Sequence, residues 1–336
     1  MLRYCLPLLL LGLFACDPAE PAAEAPAAAT DGDPAIARLT AAIAKDTTDA
    51  DLYRQRASMY YDMENYDGAI ADLNRALSID STNIGYHYEL ADVYLDYYRS
   101  RLALRTLERA ARLDPERLET RLRLAETQLI LKQYDDALAS LNEAVRIDRR
   151  NPEAYYLLGQ VFEETGDTLR ALNAAEEATQ IDPDMTDAYL LQGELRAAQG
   201  DPRAIDYFNS AVSIDPEDVV ALHARADYYR QQGDLERAIA EYRKTSLIDR
   251  QYVAGNYNAG LLLMELDSVQ RAYNEFNIVI KNDPIHIRAY FYRGYASELL
   301  GDEAAARRDY ETALRMAPDF TLPREALDRL NGQNPQ

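Results

Sequence analysis

Apolar residues in this chain recur three or four positions apart, with no sustained alternation, so the pattern predicts helices and not strands. From residue 50 onward the helical segments come in pairs separated by short polar turns. The turns keep a period. Aspartate returns at Asp80, Asp114, Asp148, Asp182, Asp215, Asp249 and Asp283, at intervals of 34 residues with a single interval of 33. A fixed period of this size marks stacked supersecondary units, none of which can bury its apolar face alone.

Small residues keep the same step. Ala57, Ala91, Ala125, Gly159, Gly193, Ala226, Gly260 and Gly294 form one row. Ala69, Ala103, Ala137, Ala171, Ala204, Ala238, Ala272 and Ala306 form a second. Ala76, Ala110, Ala144, Ala178, Ala211 and Ala313 form a third, which Thr245 and Val279 interrupt. Helices pack closely only where their facing side chains are small. Leu73, Leu107, Leu141, Phe208, Tyr242, Phe276 and Tyr310 are expected to fill the space left between them. In the mid-unit turns Gly166-Asp167, Gly233-Asp234 and Gly301-Asp302, Gly ends one helix and Asp caps the next. Gly200-Asp201-Pro202 is read the same way, with Pro202 at the first helical position. Between units, Asp114-Pro115, Asp182-Pro183, Asp215-Pro216 and Asp283-Pro284 stop the second helix.

These rows and turns resemble the tetratricopeptide repeat (TPR), with its small residues at the centre of the first helix and twice in the second. The units are 50–83, 84–117, 118–151, 152–185, 186–218, 219–252, 253–286 and 287–320. Residues 35–49 read as a lone second helix, and 321–336 as a capping helix and tail. The resemblance implies an all-α solenoid, a right-handed superhelix of antiparallel helix pairs. Its first helices would line a concave face that commonly binds a partner peptide or helix.

The N-terminus reads as an address. Residues 1–15 give Arg3, then a short apolar run from Leu6 to Phe14, which has the length of a signal-peptide core and is too short to span a bilayer. Leu13-Phe14-Ala15-Cys16 resembles the lipobox of bacterial lipoproteins, which implies cleavage before Cys16 and lipidation of its side chain. The other cysteine, Cys5, lies within the leader, so the expected mature chain holds neither a free thiol nor a disulfide. Residues 16–34 are the lipidated Cys and an Ala-, Pro- and acid-rich tether, with a reach of roughly 60 Å when stretched. Attachment to a membrane of the cell envelope is expected, with inner or outer membrane left open.

The net charge of −21 and the absence of an extended Lys/Arg run argue against a nucleic-acid partner. His87, His223 and His286 lie in different units, and no metal-ligand spacing or nucleophile motif appears, so no cofactor, metal or enzymatic activity is expected. Function should instead sit on the concave face. The resemblance places the second, fifth, ninth and twelfth positions of each unit there. The expected groove residues are Tyr61, Tyr88, Asp92, Glu126, Tyr156, Asp227, Tyr257, Phe291 and Tyr295. This mixture of acids and aromatics, more apolar toward the C-terminal units, suits a basic partner segment with aromatic or apolar residues. A protein-binding envelope adaptor is the leading expectation. A structural or assembly component, pilotin-like or self-associating, is the alternative.

Overall fold

The computed structural model describes residues 33–332. The leader 1–15, the lipidation expected at Cys16, nearly all of the tether 16–34 and the last four residues of the tail lie outside the described residues. Among those described there are eighteen α-helices and no strand. They fall into two compact units, Met1–Pro115 and Glu116–Gln336.

The N-terminal unit holds α1 (Pro34–Lys45), α2 (Ala50–Asp62), α3 (Tyr66–Ile79), α4 (Ile84–Asp96) and α5 (Ser100–Leu113). The C-terminal unit begins with α6 (Leu118–Ile130), α7 (Tyr134–Ile147), α8 (Pro152–Glu164), α9 (Thr168–Ile181), α10 (Thr186–Ala198) and α11 (Ala204–Ile214). It continues with α12 (Val219–Gln231), α13 (Leu235–Ile248), α14 (Ala254–Glu265), α15 (Val269–Asn282), α16 (Ile287–Leu299), α17 (Glu303–Met316) and α18 (Thr321–Leu330). From α2 onward the helices pair as hairpins, and α18 packs on α17.

The recurrent aspartate has a local job. Each stands at the C-cap of a second helix, and for six of the seven, all but Asp114, the carboxylate accepts the backbone N–H two residues on. Thr82 N reaches Asp80 at 3.0 Å, Asp184 N reaches Asp182 at 3.0 Å, and Ile285 N reaches Asp283 at 3.1 Å. This Asx-turn reverses the chain at those six positions. At the mid-hairpin turns, Asp167, Asp234 and Asp302 cap the following helices as expected. One turn expectation needs correction, and one turn feature goes beyond what was expected. Pro202 is not the first residue of its helix: α11 starts at Ala204, because the missing residue draws Asp201 onto Arg203 N at 3.0 Å. And the left-handed turn position is not reserved for Gly166, Gly200, Gly233 and Gly301; Glu64, Tyr98, Lys132 and Asp267 hold the same conformation. Each of these side chains costs roughly 1 kcal/mol at such a position.

The core is sorted by size. Ala57 faces Leu73, and Ala125 faces Leu141, all buried. In three hairpins glycine on the first helix faces a ring on the second, at Gly193–Phe208, Gly260–Phe276 and Gly294–Tyr310, whereas Gly159 packs against Ala175 and Leu191, and Ala226 shares its cluster with the Tyr242 ring. A Cβ on Gly260 would lie 2.7 Å from the Phe276 ring, and one on Gly294 would lie 2.9 Å from that of Tyr310. Three hairpins add a buried ion pair sixteen residues apart: Arg56–Asp72 at 2.7 Å, Arg225–Glu241 at 2.8 Å and Arg293–Asp309 at 2.7 Å.

Gly260→Ala is expected to destabilise the chain by about 2 kcal/mol through overpacking. Adding Phe276→Leu should recover part of that loss, because Ala opposite Leu is the combination found at Ala57–Leu73. Urea denaturation of the two single variants and the pair checks this; strictly additive losses would contradict the size-matching account.

Candidate functional site

Within the C-terminal unit, α8 packs directly on α6 and α10, and α10 on α12. No two second helices approach each other to the same extent. A stack whose first helices stand closer together than its second helices is concave on the first-helix side.

That side is marked by its carboxylates. Glu153, Glu163 and Glu194 are exposed to water, yet neighbouring protein raises the pKa of each above the usual 4.5, chiefly by desolvation. A group open at its tip and flanked by protein on its sides lies in a hollow. Like charges add to the shift: Glu126 acts on Glu153, Glu164 on Glu163, and Glu163 with Asp227 on Glu194. These acids therefore face one another across α6, α8, α10 and α12. Tyr156 sits among them, half-buried, its hydroxyl accepting from Gln160 Nε2 at 2.9 Å. Burial, then Asp187, Glu194 and Glu163, push its pKa up to about 12.

Among the described residues, no side-chain hydrogen bond or ion pair reaches Glu163 or Glu194. Their neighbour Glu164 differs: Lys132 lies 3.8 Å from it, and Tyr134 donates to it at 2.9 Å. From sequence, Glu163-Glu164 reads as a plain charged pair on the surface. The structure separates them into one acid that is neutralised and one that is not. The signal was present, since Glu153, Glu194 and Glu163 occupy the second, ninth and twelfth positions of their units.

The residues expected in the groove are spread unevenly. In the N-terminal unit, Tyr61 donates to Asp96, a contact that pushes its pKa up to about 12. It also meets Tyr66 edge-on, and Tyr66 stacks on Tyr97 at 5.2 Å. Tyr88 is only 7% exposed and serves the core, so it has little surface to offer a partner. Asp92 is half-buried. In the C-terminal unit, Glu126 is exposed and belongs to the acidic hollow. Asp227 is occupied: Tyr242 donates to it at 2.5 Å and Arg230 at 3.2 Å. His223 stands 3.6 Å from Asp227 and faces Asn258 at 3.2 Å, and burial lowers its pKa. Sequence reasoning gave His223 no role beyond its position; the structure makes it part of this polar junction.

Beyond α12 the same side turns apolar. Tyr257, Leu261 and Met264 on α14 are half-buried against the core. Tyr257 lies 4.9 Å from the His286 ring and 6.0 Å from Tyr292. Phe291 stacks with Tyr295 and packs against Tyr310 and Phe320, so it helps seal α18 onto the stack. Tyr295 remains 36% exposed. A second hollow of about 400 Å³ lies between α8 and α9, over Leu158, Phe162 and Ala174. Ala174 stands where other hairpins carry Asp72, Glu241 or Asp309.

The family follows from comparison with known sequences. A TPR repeat model matches residues 57–96 and 129–166, and tetratricopeptide repeat models match 156–219, 257–319 and 207–240. Together these segments span well over half of the chain. The protein belongs to the tetratricopeptide repeat family. Tetratricopeptide repeat protein 6 of Homo sapiens is 27% identical over 117 residues, which are 34% of this chain; the match spans only 22% of that relative. Among solved structures, PilW, a widely conserved type IV pilus biogenesis factor, is 18% identical, with a TM-score of 0.52 over 62% of this chain and 98% of its own. The Cut9–Hcn1 hetero-tetramer of APC/C is 16% identical, with a TM-score of 0.51 over 88% of this chain and 58% of its own. At such identities these two show the fold alone. Members of the TPR family are generally non-enzymatic scaffolds, and membership carries the general function of mediating protein–protein interaction.

The uncompensated acids imply a stability cost. Their folded pKa values lie above the unfolded value of 4.5, so the folded chain disfavours their charged forms. This cost is fully present above the folded pKa and disappears as pH falls below 4.5. Glu163→Gln and Glu194→Gln should therefore each raise the melting temperature at pH 7, with the gain lost below about pH 4.5. Thermal denaturation at both pH values decides the matter; lower stability of the Gln variants at pH 7 would contradict it.

Proposed function

We propose that the protein is a membrane-tethered adaptor that holds a basic partner segment on the concave face of its C-terminal unit. The observation that carries this reading is the pair Glu163 and Glu194, side by side on α8 and α10, desolvated by the hollow and lacking a cation. Internal structure gains nothing from charges arranged in this way. A lysine or arginine from a partner would relieve both the mutual repulsion and the missing counter-charge. Tyr156 between them offers a ring face for the stem of the incoming cation.

The tether belongs to the same proposal. It rests on the sequence alone: the apolar run before Cys16, the lack of any cysteine after it, and the acidic linker that follows. No helix among the described residues is long and apolar enough to cross a membrane. A lipid on Cys16 would concentrate the groove at a bilayer surface, with the linker setting its reach. The alternative, a self-associating structural component, draws on Leu247 and Ile285. They are 83% and 77% exposed, in the last turn of α13 and in the turn after α15, where the other units carry mostly polar residues.

A photoreactive residue at Tyr156 should trap a partner in intact cells, while one at Glu143, on a second helix, should not. Equal trapping at both positions, or at neither, would remove the groove reading. In the same cells, Cys16→Ser should move the chain from the membrane to the soluble fraction. Unchanged fractionation would remove the lipid anchor without touching the groove.

A further inference from the structure

The first-helix face of the C-terminal unit changes character at α12. On one side of it lie the unpaired Glu163 and Glu194. On the other lie Tyr257, Leu261, Met264 and Tyr295, half-buried or exposed. At the boundary, Asp227 is spent on Tyr242 and Arg230, and His223 on Asn258. Asp227 therefore has little left to offer a partner, while the buried Nδ1 of His223 has no hydrogen bond. What remains available is two contact zones of opposite chemistry, separated by one helix.

We infer that the occupant of the apolar zone on α14 and α16 is an apolar or aromatic side chain belonging to the basic segment that contacts Glu163 and Glu194. This deepens the proposed function and rests on it. Charge chooses the occupant. The chain's own N-terminal stretch 17–32 carries Asp17, Glu20, Glu24 and Asp31 and no Lys or Arg, so it is repelled by the acidic zone that an extended occupant must also cross. The residues after the last described helix, Asn331 to Gln336, carry no charged side chain. A second protein with a cationic stretch fits both zones.

The stacking sets the spacing. α10 packs on α12, and Asn258 of α14 reaches His223 of α12 at 3.2 Å; with neighbouring helices roughly 8–10 Å apart, α10 and α14 are separated by roughly 20 Å. An extended chain covers that distance in about six residues at about 3.3 Å each. Glu163 and Glu194, one step apart, are spanned by about three residues. The expected partner motif is two basic residues about three apart, then an apolar or aromatic residue about six further along, in one chain direction or the other.

Fluorescent peptides test this without altering the protein. The first carries two lysines three apart and a phenylalanine six residues from the nearer one. The second has serine in place of the phenylalanine, and the third shortens the six-residue gap to two. Both chain directions are made for each, and binding to the full-length chain is followed by anisotropy. The first peptide, in one direction, should bind at least about tenfold more tightly than the second and third, the effect of burying one large apolar side chain. Leu261→Ser should abolish that advantage while leaving the affinity of the serine peptide unchanged. Equal affinity of the phenylalanine and serine peptides in both directions would overturn the two-zone inference and leave the acidic-groove reading standing. Absence of binding by every peptide at low salt would overturn both.

Discussion

Everything in this protein depends on the match of small against large side chains between the two helices of each hairpin. Ala against Leu, or Gly against Phe or Tyr, lets the helices close on each other. That closeness lets hairpins stack, and stacking brings the first helices side by side. The face they form is a by-product of packing. Some of its positions, such as Tyr88 and Phe291, serve the packing, and others, such as Glu163 and Glu194, do not. The solenoid supplies a shape, and the side chains on the inner face decide what that shape can hold.

Packing alone explains the apolar and small residues, and turn chemistry explains the periodic aspartates. Neither explains acids that lie in a hollow, repel one another and meet no cation. Elsewhere in this chain carboxylates in demanding places are paired: Asp72 with Arg56, Glu241 with Arg225, Asp309 with Arg293. The contrast with Glu163 and Glu194 is therefore internal to the protein. On the proposed reading, the stability forgone there serves the binding of a partner.

Much of this was legible in the sequence. The 34-residue step, the small rows and the capping aspartates lead to helix hairpins because each is a local rule repeated from unit to unit. What escaped were departures from the repeat. Pro202 looked like a helix start until the deleted residue moved the boundary to Ala204. Tyr88 stands at a groove position by counting, but the hairpin rotates it into the core. Asp227 counts as a groove acid, yet Tyr242, one helix away, takes it. Phe291 is claimed by Phe320 and the last helix. Counting positions assigns a face to a residue and cannot say whether a neighbour already uses it. Glu163 and Glu194 show the converse: counting puts both at groove positions, but the lack of a partner that singles them out is a fact of three dimensions.

The central claim is that Glu163 and Glu194 await a cation. Carboxylate NMR titration of both residues, free and in the presence of the lysine- and phenylalanine-bearing peptide, addresses it directly. In the free protein both should titrate above 4.5. With peptide bound, both should shift downward as the incoming cation stabilises their charged forms. Ordinary values in the free protein, or raised values that a bound peptide leaves unmoved, would contradict the account.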